Sequence, residues 1–437
     1  MITIKTAKKQ KLKESKGITL IALVITIIVL LILAGVTIAT LTGDNGILTK
    51  AQDAKTQTEQ AKEDENLKIA IAGSYGTDGK LNLKDLKDNL TNQKISYTDS
   101  DEFPLEVTVN GEEKKIDANG NVTVKLESVA DSKTKGTVFD DVTTLEDTYG
   151  NQVKIPKGFK IADDSATDVT GGIVIEDATY TNTIGSQFVW IPVGTGENAI
   201  KKANKETVEI ELGRYDFTKN SDGTITTSEY SGSYTEDTTA SHNSSRGNAI
   251  AKDIEKFKTS ANSNHGYYIG RYEAGKTGDN GFVVCKSGQE VWNYITQPKA
   301  SEVSRNMYGS EAKVTSDLIN SYAWDTAIVF IQKCGTESNS STYSYTAGLS
   351  LTSKSEPQTT GTNILNATKK VDKQCNIFDM AGNCFEWTTE TSSYSGMPCV
   401  GRGDFFSYGN DGCTSYRFDD HTSSAYSDRS FRPLLYL

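Results

Sequence analysis

Residues 17–43 contain no charged side chain, and the run ITLIALVITIIVLLILAGVTIATLTG that follows Gly17 is apolar at almost every position. A helix over such a run would rise about 40 Å, more than the roughly 30 Å of a bilayer's hydrocarbon core. The pattern therefore predicts a transmembrane helix over residues 18–42. Residues 1–16 hold six lysines against one glutamate. That bias predicts a cytoplasmic N-terminus, an extracellular C-terminal domain and a cell-membrane location. The run is too long for the apolar part of a secretory signal peptide, and no A-x-A cleavage site follows it.

The pattern then changes twice. Residues 47–72 are rich in Ala, Gln, Glu and Lys, with no proline or glycine, which predicts a polar continuation of the helix. Residues 103–126 alternate apolar and polar positions around Asn110-Gly111, a hairpin signal, and Asn119-Gly120 marks a second turn. From about residue 135, short β-like runs (QVKIPKGFKI, GGIVIEDA, SQFVWIPV, GYYIGRYEAG, NGFVVC) alternate with Ser/Thr/Asn-rich stretches at 218–248 and 335–363. Those stretches lack periodicity and read as surface loops. Helices are predicted over 249–260, with Ile250, Ile254 and Phe257 on one stripe, and over 316–332, opened by a Ser/Asp cap and burying Leu318, Tyr322 and Ile328. Trp190, Trp324 and Trp387 are assigned to the core.

Composition narrows the function classes. A 437-residue chain predicts two or three folded units, and a net charge of −11 argues against nucleic acid as a partner. The six cysteines, at 285, 334, 375, 384, 399 and 413, form no CxxC pair, and the three histidines are scattered, so zinc is not expected. Up to three disulfides or a set of buried free thiols both remain open.

Lys16-Gly17-Ile18-Thr19-Leu20-Ile21, followed by the apolar run, resembles the N-terminus of type IV prepilins. That resemblance implies cleavage between Gly17 and Ile18, pilus subunits as partners, and a pilin-like helix and small sheet over residues 43–130 after a basic leader 1–17. The chain departs from the family at Ala22, where a glutamate that aids subunit docking is usual.

A second series is ordered along residues 135–437. Phe188-Val189-Trp190-Ile191-Pro192-Val193 precedes Tyr267-Tyr268-Ile269-Gly270-Arg271-Tyr272-Glu273. Asn376-Ile377-Phe378-Asp379-Met380-Ala381-Gly382-Asn383-Cys384-Phe385-Glu386-Trp387-Thr388 follows, then Gly401-Arg402-Gly403 and Phe431-Arg432-Pro433. The series resembles the formylglycine-generating-enzyme domain, a variant of the C-type lectin fold. The implied fold class is α+β: a transmembrane helix with a small pilin-like β region, then a C-type-lectin-type mixed domain rich in irregular loops. By the same resemblance, a Ca²⁺ ion would be held by Asp379, Gly382, Cys384 and Glu386. The family's enzymes use cysteines after the RGGS-like turn, but here Ser407 stands at the first position and Cys413 only near the second. No enzymatic activity is expected.

Residues 400–437 contain no Lys, Glu, Gln, Met or Trp. Codons ending in a pyrimidine cannot encode these five. Every residue type in 404–430 is reachable from Asn codons by changing their first two adenines. The segment thus resembles the variable region of proteins diversified by a retroelement through adenine-directed mutagenesis, which sits at the end of this lectin-type fold. The resemblance implies binding of a protein or glycan target through Phe405, Phe406, Tyr408, Asn410, Asp411, Tyr416, Phe418, Asp419, His421 and Tyr426. Its mixture of Tyr, Asp, Asn, Ser and Gly suits recognition. The expected protein is a membrane-anchored or pilus-associated display protein. The alternatives are an oxidase of the formylglycine-generating kind and a structural minor pilin.

Overall fold

Leu105, Val107 and Val109 point to one side of a strand and are buried, while Thr108 between them is exposed. That alternation seeds the first sheet. The computed structural model describes residues 47–131, 134–237, 246–277, 281–346, 360, 372–406 and 412–437. The chain divides into two compact units, residues 1–125 and 126–437.

In the first unit, α1 (Ile47–Ala72) and α2 (Leu83–Asn92) accompany an antiparallel sheet of β1 (Ser96–Tyr97), β2 (Leu105–Val109), β3 (Glu112–Ile116) and β4 (Val122–Val124) in sequential order. Asn110 and Gly111 both take positive φ, 57° and 79°, the requirement of the tight turn joining β2 to β3. The α2 start is capped by Asn82, whose Oδ1 accepts from the Lys84 and Asp85 amides. Leu67, Leu86, Leu90, Leu105, Val107 and Ile116 close the core.

The second unit is built on two sheets. The larger contains β5 (Phe159–Ile161), β6 (Val174–Asp177), β7 (Gln187–Pro192), β10 (Gly266–Gly270), β11 (Thr315–Leu318) and β16 (Pro433–Tyr436), in the order β11-β16-β10-β7-β6-β5, antiparallel throughout. The smaller has the order β14-β13-β12-β15, from β12 (Phe385–Thr391), β13 (Cys399–Arg402), β14 (Arg417–Asp420) and β15 (Arg429–Phe431). Its β12–β15 pairing is parallel and the rest antiparallel. Only Arg432 separates β15 from β16, so the chain passes from one sheet into the other at that residue.

Three helices pack on these sheets: α3 (Ile254–Ser263), α4 (Gln297–Arg305) and α5 (Ser321–Cys334). Trp190, Trp324 and Trp387 are all fully buried. The helix expected over 316–332 begins later. Thr315–Leu318 is strand β11, and Asn320, not Ser316, caps α5 by accepting from the Ala323 amide at 2.9 Å. Asp317 is held by the sheet edge instead, accepting from Arg305 Nε at 2.9 Å and the Lys252 amide at 2.6 Å. The helix expected from 249 likewise starts at Ile254, where Asp253 caps it. Part of the stretch read as loop at 218–248 is ordered by pairing: β8 (Tyr215–Lys219) and β9 (Ile225–Glu229) form a hairpin.

The expected fold class and location are corrected. Sheets predominate in the described residues, helices are few, and no helix there is long and apolar enough to cross a membrane. The long helix α1 is polar over most of its length, carrying Lys, Gln, Asp and Glu on every turn up to Lys68. A transmembrane element and a cell-membrane location therefore have no support in this structure. The run 18–42, on which they rested, lies outside the described residues, as do Gly17 and Ile18.

Candidate ligand-binding surface

The smaller sheet places two unlike layers on its two faces. Strand alternation puts Phe385, Trp387, Gly401 and Phe418 on one face and Glu386, Arg402 and Arg417 on the other, as the register pairs Trp387 with Gly401, Gly401 with Phe418 and Arg402 with Arg417.

The first face is aromatic. The Phe385 ring lies 4.2 Å from Phe418, 4.9 Å from Phe405 and 6.4 Å from Tyr416, centroid to centroid. Tyr416 stacks over Phe418 at 6.4 Å. The Arg429 guanidinium sits among these rings, 4.5 Å from Phe418, 5.0 Å from Phe385 and 5.7 Å from Tyr426. Its charge is balanced by Asp428 at 2.7 Å and Asp420 at 3.1 Å. Such contacts hold arginine by cation–π attraction as well as by ion pairing. Above this layer stand Tyr416, 39 % exposed, and Tyr426, 54 % exposed. Tyr294, 63 % exposed, joins them because its amide donates to the Tyr426 carbonyl at 3.0 Å.

Gly401 is glycine for a packing reason. A Cβ there would lie 2.1 Å from Phe418 Cζ and 2.2 Å from its Cε1. Gly401→Ala is expected to push the Phe418 ring off the layer and to cost about 1–3 kcal/mol of unfolding free energy, measurable by chemical denaturation. An unchanged stability would mean the ring has room that the packing denies.

The second face is ionic and almost wholly buried. Asp325 of α5 accepts from Arg402 Nη2 at 2.6 Å and from Arg417 Nη2 at 2.5 Å. Arg417 Nε also donates to Glu390 Oε1 at 3.0 Å, and Arg214 pairs with the same carboxylate. Burial, then the neighbouring Arg417, holds the Arg402 guanidinium below its usual range, with Asp325 and Glu390 opposing. The Tyr230 ring lies against both Arg417, at 4.1 Å, and Arg214, at 4.5 Å. Strand β14 is therefore fixed from behind, while on its other face Phe418 is half-buried against Phe385 and Trp387.

The expected binding residues fare differently. Phe405, Tyr416, Phe418 and Tyr426 come together on the aromatic face. Phe406 is buried, and its amide donates to the Asn383 carbonyl. Asp419 turns the other way and accepts from Ser392 Oγ at 3.2 Å and Tyr234 Oη at 3.4 Å. His421 is exposed. Tyr408, Asn410 and Asp411 lie outside the described residues. Arg402 and Asp404, the ends of an Arg-Gly-Asp triplet, are fully buried and present nothing to a receptor. Sequence reasoning missed Phe385, Arg429 and Tyr294. Arg429 and Phe385 flank residues already singled out, but only the parallel pairing of β12 with β15 brings them together.

Of the residues expected to hold Ca²⁺, Glu386 is already engaged. Glu386 is fully buried, yet Arg432 takes both its oxygens, Nε to Oε2 at 3.0 Å and Nη2 to Oε1 at 2.6 Å. A guanidinium already supplies the positive charge a divalent ion would bring. Nearby Glu273 accepts from the Cys384 amide at 3.0 Å and from Asn383 Nδ2. Burial first, then Glu386 and Asp379, pushes the Glu273 carboxyl well above the usual carboxylate range. Among the described residues, no group of three or more His, Cys, Asp or Glu side chains is placed to hold a metal ion.

All six cysteines are free thiols. Burial pushes Cys399 up to about 12 and Cys384 well above its ordinary value, the opposite of what thiolate chemistry requires. Cys413 is half-buried beside Ser415 Oγ at 3.4 Å.

No family model matches the chain. No curated protein matches it either. Among solved structures it is similar to the Treponema denticola variable protein 1, at 14% identity over 59% of this chain and 98% of that one, with a TM-score of 0.27. It is also similar to the Major Tropism Determinant M1 variant, at 12% identity over 76% of this chain and 91% of that one, with a TM-score of 0.26. The P3c variant of the same determinant gives 12% identity, 75% and 91% coverage, and a TM-score of 0.25.

Proposed function

We propose that residues 126–437 form a ligand-binding module whose contact surface is the aromatic face of the smaller sheet, within a diversified segment at 404–430. The observation that carries this reading is a pair of exposed tyrosines, Tyr416 and Tyr426, standing on a packed layer of Phe385, Phe418 and Arg429. Rigid amphipathic rings offer contact area at little entropic cost. They lie in the same stretch that lacks the five residue types excluded by pyrimidine-ending codons. The partner is a protein or glycan.

The gene supplies the first test. Independent isolates are expected to differ within codons 404–430, at Phe405, Tyr416, His421 and Tyr426 among others. Phe431-Arg432-Pro433 stays fixed, and every change maps to an adenine of a nearby template repeat. Changes scattered evenly along the gene, with no such repeat, contradict the reading. Against a protein or glycan that the wild-type chain binds, Tyr416→Ala and Tyr426→Ala are each expected to weaken binding about tenfold or more at unchanged melting temperature. An oxidase reading is less favoured because Ser407 replaces one expected cysteine and the thiols of Cys384 and Cys399 are held protonated by burial.

A further inference from the structure

Residues 230–237 run from the end of the β8–β9 hairpin across the edge of the smaller sheet. Thr235 pairs with Thr391 through both backbone bonds, at 2.9 and 2.7 Å. Arg214 Nη2 donates to the Tyr234 carbonyl at 2.7 Å, and Tyr234 Oη reaches Asp419 on β14. Between these points Glu236 turns inward. Its Oε1 accepts from the Ser321 amide, at the start of α5, at 2.6 Å, and its Oε2 meets Thr389 Oγ1 of β12 at 2.9 Å. The segment is thus fastened to α5, β12 and β14 at once.

We propose that residues 230–237 are a pH-sensitive strap, closed when Glu236 carries a proton and loosened when it ionises, and that its closure sets how firmly strand β14 is held.

The charges facing Glu236 decide the sign. From β12 comes the Glu390 carboxylate, and from the residue before β8 the Arg214 guanidinium. From α5 come only the Ser321 amide and the positive end of the helix, and from β12 also the Thr389 hydroxyl. Behind Arg214 and Glu390 stand Arg417, Arg402 and Asp325. Tyr234 is neutral in this range, pushed up to about 12 by burial and Asp419. Glu236 is half-buried, with its two carboxyl oxygens turned toward Ser321 and Thr389. Burial first, and Glu390 second, pushes its carboxyl from 4.5 up to about 7, against the Ser321, Arg214 and Thr389 contributions. A carboxyl whose pKa is raised on closing keeps a proton that the open form has released. The closed form therefore gains full support below about 4.5, loses it progressively as pH rises, and has none above about 7.

The strap itself stands apart from the binding proposal; only the effect on ligand contact rests on it. The test is hydrogen exchange of the whole chain, corrected for intrinsic rates, at about pH 6 and about pH 8.5. Peptides covering 230–237 and 417–420 are expected to open about tenfold more often at the higher pH, the ratio given by a shift from 4.5 to about 7. In Glu236→Gln, whose amide can still meet Ser321 and Thr389, that ratio is expected to fall to one. Thr389→Val deletes a hydroxyl that favours the ionised carboxyl, and moves the opening midpoint to higher pH. An invariant wild-type ratio, a ratio kept in the Gln variant, or an unmoved midpoint in the Val variant each overturns the proposal. Exchange that follows the expectation while Tyr416→Ala leaves ligand binding intact removes the surface reading and leaves the strap.

Discussion

Replacing Arg432 by methionine is expected to lower the unfolding free energy by about 3–5 kcal/mol, the cost of leaving one member of a buried ion pair without the other. The side chain is fully buried and does more than pair with Glu386. Its Nη1 donates to the Gly270 carbonyl and its Nη2 to the Phe378 carbonyl, both at 2.8 Å. It also supplies positive charge to a region that holds Glu273 and Asp379 as well. Removing it leaves the Glu386 carboxyl, already raised by burial, with no guanidinium. Adding Glu386→Gln to the same chain is expected to restore part of the loss, because the second change removes the stranded carboxylate. Denaturant unfolding of the single and double variants measures both. A loss below about 1 kcal/mol for the single variant would show that the pair contributes little.

A loss of similar size, about 3–5 kcal/mol, is expected from Asp325→Ala. Asp325 pairs with both Arg402 and Arg417, as Glu390 does from the other side, and it also accepts from the Tyr215 amide at 2.9 Å. Without it two buried guanidiniums share Glu390, and a backbone donor loses its partner. The consequence reaches the surface, since Arg417 anchors β14 beneath the aromatic layer. Circular dichroism in the aromatic region is expected to weaken along with the stability. A stable Asp325→Ala protein with an unchanged aromatic signal contradicts the anchoring role.

Features set by neighbours in sequence were legible in advance. The Asn110-Gly111 hairpin follows from two residues that tolerate positive φ, and the helix Ile47–Ala72 from an uninterrupted run of helix formers. The three large buried tryptophans follow from their apolar surroundings. Where local signals competed, the sheet won. Ser316 and Asp317 read as a helix cap, but pairing of Thr315–Leu318 with Pro433–Tyr436 moved the start of α5 to Ser321. The candidate site was half legible. Four of its aromatic residues, Phe405, Tyr416, Phe418 and Tyr426, lie within one short segment of unusual composition, whereas Phe385 and Tyr294 come from elsewhere in the chain. Its foundation does not, because Arg214, Asp325, Glu390 and Arg417 belong to four distant parts of the chain and only the folded sheet brings them together. Calcium ligation was expected from a motif whose spacing is intact, and what the motif did not reveal is that Arg432 would occupy Glu386. The apolar run at 18–42 gave the strongest hydropathy signal of all, but it lies outside the described residues, whose helices contain nothing that crosses a membrane.

Strand β16 has a genetic consequence. Residues 433–436 are translated after the segment 404–430, yet they fill an interior place in the larger sheet, hydrogen-bonded to β11 on one side and β10 on the other. A premature stop or a shifted frame anywhere in 404–430 therefore deletes an interior strand and its buried side chains, and the truncated chain cannot close its core. Under the proposed diversification of this segment, the fold would act as a reading-frame filter on the variation. Codons that always end in a pyrimidine pass that filter by construction, since every stop codon ends in a purine. Whatever residues the segment comes to hold, only a ribosome that has read through it intact releases a chain able to fold.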